Sequence, residues 1–196
     1  MRSAPAHQPR REPRQHRSRQ TVDAVLDAVT IVLKRHGPDA VTTNRITEAA
    51  GVSIGSLYQY FPDKQAIYSA LHQRHVEEVR RVIERALAEH ESGSLEDFAR
   101  TLVEGLAEVH AADPELHHLV TALVPEGPAG FRAALLETFE QVIAPGDERA
   151  KRMLFVLPNL IESLVHGLTK PSFISIESAK QEALRTVLVY LASCRA

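Results

Sequence analysis

The sequence predicts an all-α protein: a three-helix helix-turn-helix domain near the N-terminus, then a larger helical domain, about nine helices in total. Apolar residues recur at three- and four-residue spacing along most of the chain, the period of one helix face. The stripes are separated by breaker residues at Gly37-Pro38, Ser92-Gly93-Ser94, the Pro125 to Pro128 run, Pro145-Gly146 and Lys170-Pro171. No alternating apolar–polar run marks a β-strand, and no internal repeat is present. The 196 residues, 44% apolar and 24% charged, suffice for one medium domain or two small ones with a real core.

Met1 to about Arg19 is rich in Arg, Pro, Gln and His and has almost no large apolar residue, so residues 1–20 are expected to be a disordered basic arm. It is either a passive extension or an arm laid on DNA. Thr21 to His36 reads as the first helix, with Val22, Val25, Leu26, Val29, Val32 and Leu33 on one stripe. Two short helices are expected between Thr43 and Phe61. Asp63 can cap a long fourth helix that keeps its stripe through Ile67, Leu71, Val79, Ile83 and Leu87. Ser94 caps a fifth, and Asp113-Pro114-Glu115 starts a short sixth on Leu116, Leu119, Val120 and Leu123. The seventh runs from about Ala129 to Ile143. From Met153 to Leu168 the chain is apolar almost all round, and Pro158 is expected to kink that helix or delay its start. A final helix covers Ile176 to Ser193. Two helices this apolar need cover that a chain of this size lacks, so a homodimer through a four-helix bundle is expected.

Function is carried by Thr42 to Lys64, TTNRITEAAGVSIGSLYQYFPDK. Gly51 stands where a tight turn between two short helices needs positive φ. Ile46, Ala49, Val52 and Leu57 are expected to pack the pair together, with the small Ala49-Ala50 permitting close approach. Ser53, Ile54, Gly55, Ser56, Tyr58, Gln59 and Tyr60 then occupy the start and outer face of the second helix. In a helix-turn-helix, the second helix enters the DNA major groove N-terminal end first. Gln59 and Ser56 are the candidates for base edges. Thr43, Asn44, Tyr58, Tyr60 and Lys64 are candidates for further DNA contacts, mostly with phosphates. The alternative is a merely structural helical hairpin, but an outer face of Ser, Gly, Tyr, Gln and Tyr has no structural purpose.

This stretch resembles the DNA-binding domain of the tetracycline-repressor (TetR/AcrR) family. The matching residues are Thr42-Thr43, Ala49-Ala50-Gly51-Val52-Ser53, Gly55-Ser56-Leu57-Tyr58, Tyr60-Phe61 and Lys64, within about 45 residues from Thr21. Ile54 stands where the family often has a polar or basic residue, and Gln59 at a variable position, so the operator sequence does not carry over. The resemblance implies a homodimeric regulator, expected to be a repressor, on a palindromic double-stranded DNA operator. Residues 21–64 would read DNA. Residues 65–196 would dimerise and bind a small apolar effector that changes the separation of the two readers. The alternatives are a constitutive DNA-binding protein without effector, or a small all-α enzyme.

Charge and composition bound the rest. The net charge of −2 conceals +5 on residues 1–20 (six Arg, one Glu) and −1 on residues 21–64 (four basic, five acidic). The attraction of an arm containing Arg10, Arg11, Arg14, Arg17 and Arg19 would therefore matter. The single Cys194 excludes an internal disulfide and a Cys-based zinc cage. No apolar run is long enough to span a membrane and no secretory signal is present, so a cytoplasmic location without membrane partners is expected.

No cofactor, metal or catalytic role is assigned. Gly51-Val52-Ser53-Ile54-Gly55 matches G-x-S-x-G in letters, but a helix precedes it where a nucleophile elbow needs a strand. His75-Val76-Glu77 has the H-x-E of zinc deaminases without P-C-x-x-C. His72, His75 and Glu78 sit three apart on one helix, a spacing that solvated histidines also show. An apolar effector cavity is expected between Leu95 and Leu168, with His117, His118, Phe139 and His166 as candidate contacts.

Overall fold

A computed structural model of the chain describes residues 16–91, 93–114, 116–117, 127–170 and 173–194. Among the described residues there are eight α-helices and no strand: α1 (His16–His36), α2 (Thr43–Ala50), α3 (Ile54–Tyr60), α4 (Lys64–His90), α5 (Leu95–Ala112), α6 (Gly127–Val142), α7 (Glu148–Gly167) and α8 (Ile176–Ser193). The expected all-α class is observed. Pro114, Leu116 and His117 are helical, and the remainder of the predicted sixth helix lies outside the described residues. The described residues form two compact units, one ending at Arg74 and the other beginning at His75, so the division falls inside α4 rather than at its start.

In the first unit α1 begins at His16, five residues before the expected start at Thr21. Its first turns carry Arg, Ser and Gln, which have adequate helix propensity. Arg10, Arg11 and Arg14 lie outside the described residues. The predicted stripe is the buried one: Val25, Leu26, Val29, Val32 and Leu33 are all buried, and Ala28 joins them. Gly37, at φ 77°, ends α1 before a single 3-10 turn at Pro38–Ala40. Val41, Ile46, Leu57, Phe61, Ala66 and Ile67 complete this small core, each at most 1% exposed. Asp63 caps α4, its Oδ1 accepting from the Ala66 N–H at 2.8 Å.

The second unit is built around α5. Ser94 and Asp97 form a reciprocal capping box at its start, satisfying donors that a helix end otherwise leaves open. Phe98, Ala99, Leu102, Val103 and Leu106 then supply the buried stripe. Against it lie Leu135 and Phe139 of α6, Met153, Leu157, Ile161 and Val165 of α7, and Val187 and Leu191 of α8. Asp147 caps α7 by accepting from the Arg149 and Ala150 amides, so the helix starts before the expected Met153. It runs through Pro158, which is itself buried; core packing outweighs the lost hydrogen bond at that turn.

Gly105 marks the closest approach of α5 to the His75–His90 part of α4. A Cβ there would lie 2.7 and 3.3 Å from the two Cγ atoms of Val82 and 2.8 Å from the Arg85 guanidinium. Both Val82 methyls are in the way, so rotating that side chain cannot clear the space. Gly105→Ala therefore gains about 1 kcal/mol of helix propensity but forces an overpacked contact costing about 1–3 kcal/mol. A net loss of about 1 kcal/mol in urea unfolding is expected. In a Val82→Ala background the same change should become stabilising; a loss of equal size in both backgrounds would show that Val82 is not the obstacle.

Candidate DNA interface and a buried histidine cluster

The helix-turn-helix is assembled by local chemistry. Thr42 caps α2, its hydroxyl accepting from the Arg45 N–H at 3.4 Å. Gly51 ends α2 in the left-handed region (φ 65°, ψ 29°), the conformation that favours glycine and turns the chain towards α3. Ser53 caps α3 through its Oγ, which accepts from the Ser56 N–H at 3.0 Å and lies 2.8 Å from the Ser56 hydroxyl. Ser53 is thus a helix cap.

Burial divides α3 into two sides. Leu57 is fully buried, whereas Ile54, Gly55, Tyr58 and Gln59 are exposed and Ser56 and Tyr60 half-buried. On α2, Asn44 and Arg45 are exposed and Thr43 is half-buried. The expected α2–α3 contact needs one correction: Ala49 is exposed, and Ile46 and Thr47 are the buried residues of α2. The Thr47 hydroxyl donates to the Asn44 carbonyl at 2.9 Å, which lets a polar side chain occupy a nearly buried position. Lys64 is exposed, but its Nζ donates to the Val41 carbonyl at 3.2 Å and lies 5.6 Å from the Tyr68 ring centre. Its ammonium ties the start of α4 to Val41, two residues before α2, and keeps two further protons for other acceptors. The Ser53–Ser56 pairing leaves Gln59 the long, uncommitted polar side chain on the outer face of α3.

Within the second unit, three imidazoles gather around that of His110. The rings of His75, His117 and His166 lie 5.0, 4.8 and 5.3 Å from it, centre to centre, and Phe131 lies 5.3 Å away. His110 and His117 are buried, His75 and His166 half-buried. Burial, followed by the neighbouring His75, holds the His110 pKa down to about 3, and burial also lowers that of His166. At neutral pH His110 is therefore an uncharged imidazole. Of the residues expected to meet an effector, His117 and His166 belong to this cluster. Phe139 instead sits in the core against Phe98, with ring centres 5.6 Å apart, and His118 lies outside the described residues.

Residues 25–71 match the family model of bacterial regulatory proteins of the tetR family. The match takes in all of α2 and α3 and the ends of the helices that brace them. The chain is also 28% identical over 113 residues to the uncharacterized HTH-type transcriptional regulator YfiR of Bacillus subtilis, spanning 56% of this chain and 54% of that protein. It is 41% identical over 46 residues to the nucleoid occlusion factor SlmA of Glaesserella parasuis, spanning 24% of this chain and 23% of that protein. The chain thus matches about half the length of the first relative and about a quarter of the second. A crystal structure of a TetR-family transcriptional regulator from Streptomyces coelicolor superposes with a TM-score of 0.61 at 25% identity, covering 89% of this chain and 99% of that one. The likeness to tetR-family regulators therefore continues beyond the tetR-family domain into the second unit.

One feature had no clear signal in the sequence: the four-histidine cluster draws on separate segments, so spacing along the chain does not announce it. Phe155 of α7 and Val189 of α8 are 74% and 61% exposed, on the two helices whose sequence calls for cover from a partner chain. Among the described residues no helix is long and apolar enough to cross a membrane.

Proposed function

We propose that the chain is a homodimeric transcriptional repressor that binds a palindromic DNA operator and leaves it when an effector occupies the second unit. The observation that carries this reading is the outer face of α3, where Ile54, Tyr58 and Gln59 stand exposed over a buried Leu57 within a tetR-family domain. A structural hairpin would not leave a half-exposed isoleucine and tyrosine on its outer side. Against a major groove, each has a use. Gln59 can pair bidentately with adenine, and the Ile54 side chain can lie on a thymine methyl. Asn44, Arg45, Tyr58 and Lys64 flank that face and fit phosphates, which position the helix without specifying sequence.

The effector part of the reading is supported by the second unit's interior. The uncharged His110 and the imidazoles around it, beside Phe131, provide convergent polar groups of the kind that fix a ligand's orientation. Any ligand that favours one dimer geometry over another shifts operator affinity through that difference alone.

Selection of bound sites from random DNA tests the reading directly. A two-fold symmetric site is expected, with half-sites about one helical turn apart. Gln59→Ala should relax one base position per half-site by about 1–3 kcal/mol and leave the other positions intact. If Gln59→Ala selected the same sequence with the same stringency, Gln59 would not be a base reader. Uniform coating without symmetric sites would favour a constitutive DNA-binding protein.

A further inference from the structure

We propose that His75, His110 and His117 form a binding site for a divalent first-row transition-metal ion of the zinc class, with His166 beside it. The site lies wholly in the second unit and does not rest on the DNA-binding reading. One imidazole comes from α4, one from near the end of α5, and one from the short helical stretch after Asp113. A ring nitrogen from each lies within 4.8 Å of the others. Three nitrogens around tetrahedral zinc, at about 2.0–2.1 Å from the ion, are about 3.3 Å apart. The cluster therefore needs to contract by roughly 1.5 Å to meet that spacing. His75 is the least buried of the three.

The hydrogen bonding of His110 favours coordination. Its Nδ1 lies 2.8 Å from the Leu106 carbonyl oxygen, a partner that can only accept. Nδ1 therefore carries the proton, and Nε2 is left with its lone pair. A backbone carbonyl holding the far nitrogen of a ligating histidine is the usual way a metal site fixes tautomer and ring orientation.

The donor set selects the class of ion. Imidazole nitrogens suit zinc, copper, nickel and cobalt, whereas magnesium and calcium require oxygen ligands, and this three-residue group contains no carboxylate. The His166 ring lies 5.2 Å from that of His117, and it or a solvent molecule would complete four-coordination. The competing account is aromatic packing alone, since the same rings meet edge-on or tilted at ordinary stacking distances.

The two accounts separate on titration of the full-length, untagged, chelator-treated protein with Co²⁺ and then Zn²⁺. The metal site predicts one Co²⁺ per chain, visible absorption of a four-coordinate ion, displacement by an equivalent of Zn²⁺, and a Tm raised by several degrees at saturating Zn²⁺. His75→Gln and His117→Gln should each weaken binding at least as much as loss of an outer-shell partner does, about 10–100-fold. His72→Gln, one turn earlier on α4, should leave it unchanged. His75 is half-buried, so its variant is expected to keep the wild-type circular dichroism even if substitution at buried His117 disturbs folding. Absence of the four-coordinate spectrum, or Co²⁺ affinity indifferent to His75→Gln in a folded protein, would overturn the assignment in favour of aromatic packing.

Discussion

A chain carrying Phe155→Glu together with Val189→Glu is expected to sediment as a monomer and to lose about 10²–10⁴-fold in operator affinity, the range that linking two binding modules supplies. The argument begins with exposure. Phe155 and Val189 are among the most exposed large apolar side chains described, on α7 and α8, which pack on each other. The Tyr190 hydroxyl donates to the Arg152 carbonyl at 3.3 Å, fixing the two helices together there. A surface hollow of about 700 Å³ lies between them, with Phe155, Val156 and Tyr190 among its walls. A single exposed apolar residue is ordinary, but two on adjoining outer helix faces beside a hollow are what a partner surface leaves in an isolated chain. Leu184 and Leu188, the apolar α8 positions most obvious in the sequence, are poorer targets because both pack partly on their own chain's core. Glutamates at the outward positions would oppose their two-fold copies without hollowing the core, so the monomer should remain folded. Sedimentation and operator titration at micromolar protein test this together. A double variant that remains dimeric with full operator affinity would place the partner surface elsewhere.

Local signals made much of the fold legible. Gly37 and Gly51 mark the turns that have positive φ, Ser53 and Ser94 cap the helices they were expected to cap, and the apolar stripe of α1 is its buried face. Each depends on residues within one or two helical turns, the range over which sequence and conformation are tightly linked. Misreadings arose where tertiary context decides. Ala49 looked like a contact residue because it is small, yet Thr47 turns inward after satisfying its hydroxyl on its own helix. Pro158 suggests a kink or a delayed start, but α7 begins at Glu148 and runs through it, with Leu157, Pro158 and Ile161 all buried. The histidine cluster was least legible. In the sequence His75 shares only a three-residue spacing with His72 and Glu78; in the structure it faces His110 and His117. Only long-range packing brings those three together.

Phe139→Ala is expected to destabilise the second unit by about 3–5 kcal/mol, the cost of emptying a fully buried phenylalanine site. A loss of that size consumes much of the roughly 5–15 kcal/mol that holds a domain folded. Phe139 is fully buried and meets Phe98 nearly edge to face, with an angle of 87° between ring planes. Leu102 and Leu135 belong to the same buried cluster, so truncation at Phe139 leaves a void with rigid walls. The effector reading of Phe139 predicts something different. A ring lining a ligand cavity would already face open space, and its removal would cost far less than emptying a packed site. Urea unfolding monitored by circular dichroism distinguishes the cases. Core packing requires a large drop in midpoint with little change in slope, and Phe139→Leu should recover a substantial part of the loss because it refills most of the volume. A loss below about 1 kcal/mol for Phe139→Ala would instead mean that the site collapses or was never filled, and would return Phe139 to the effector side of the unit.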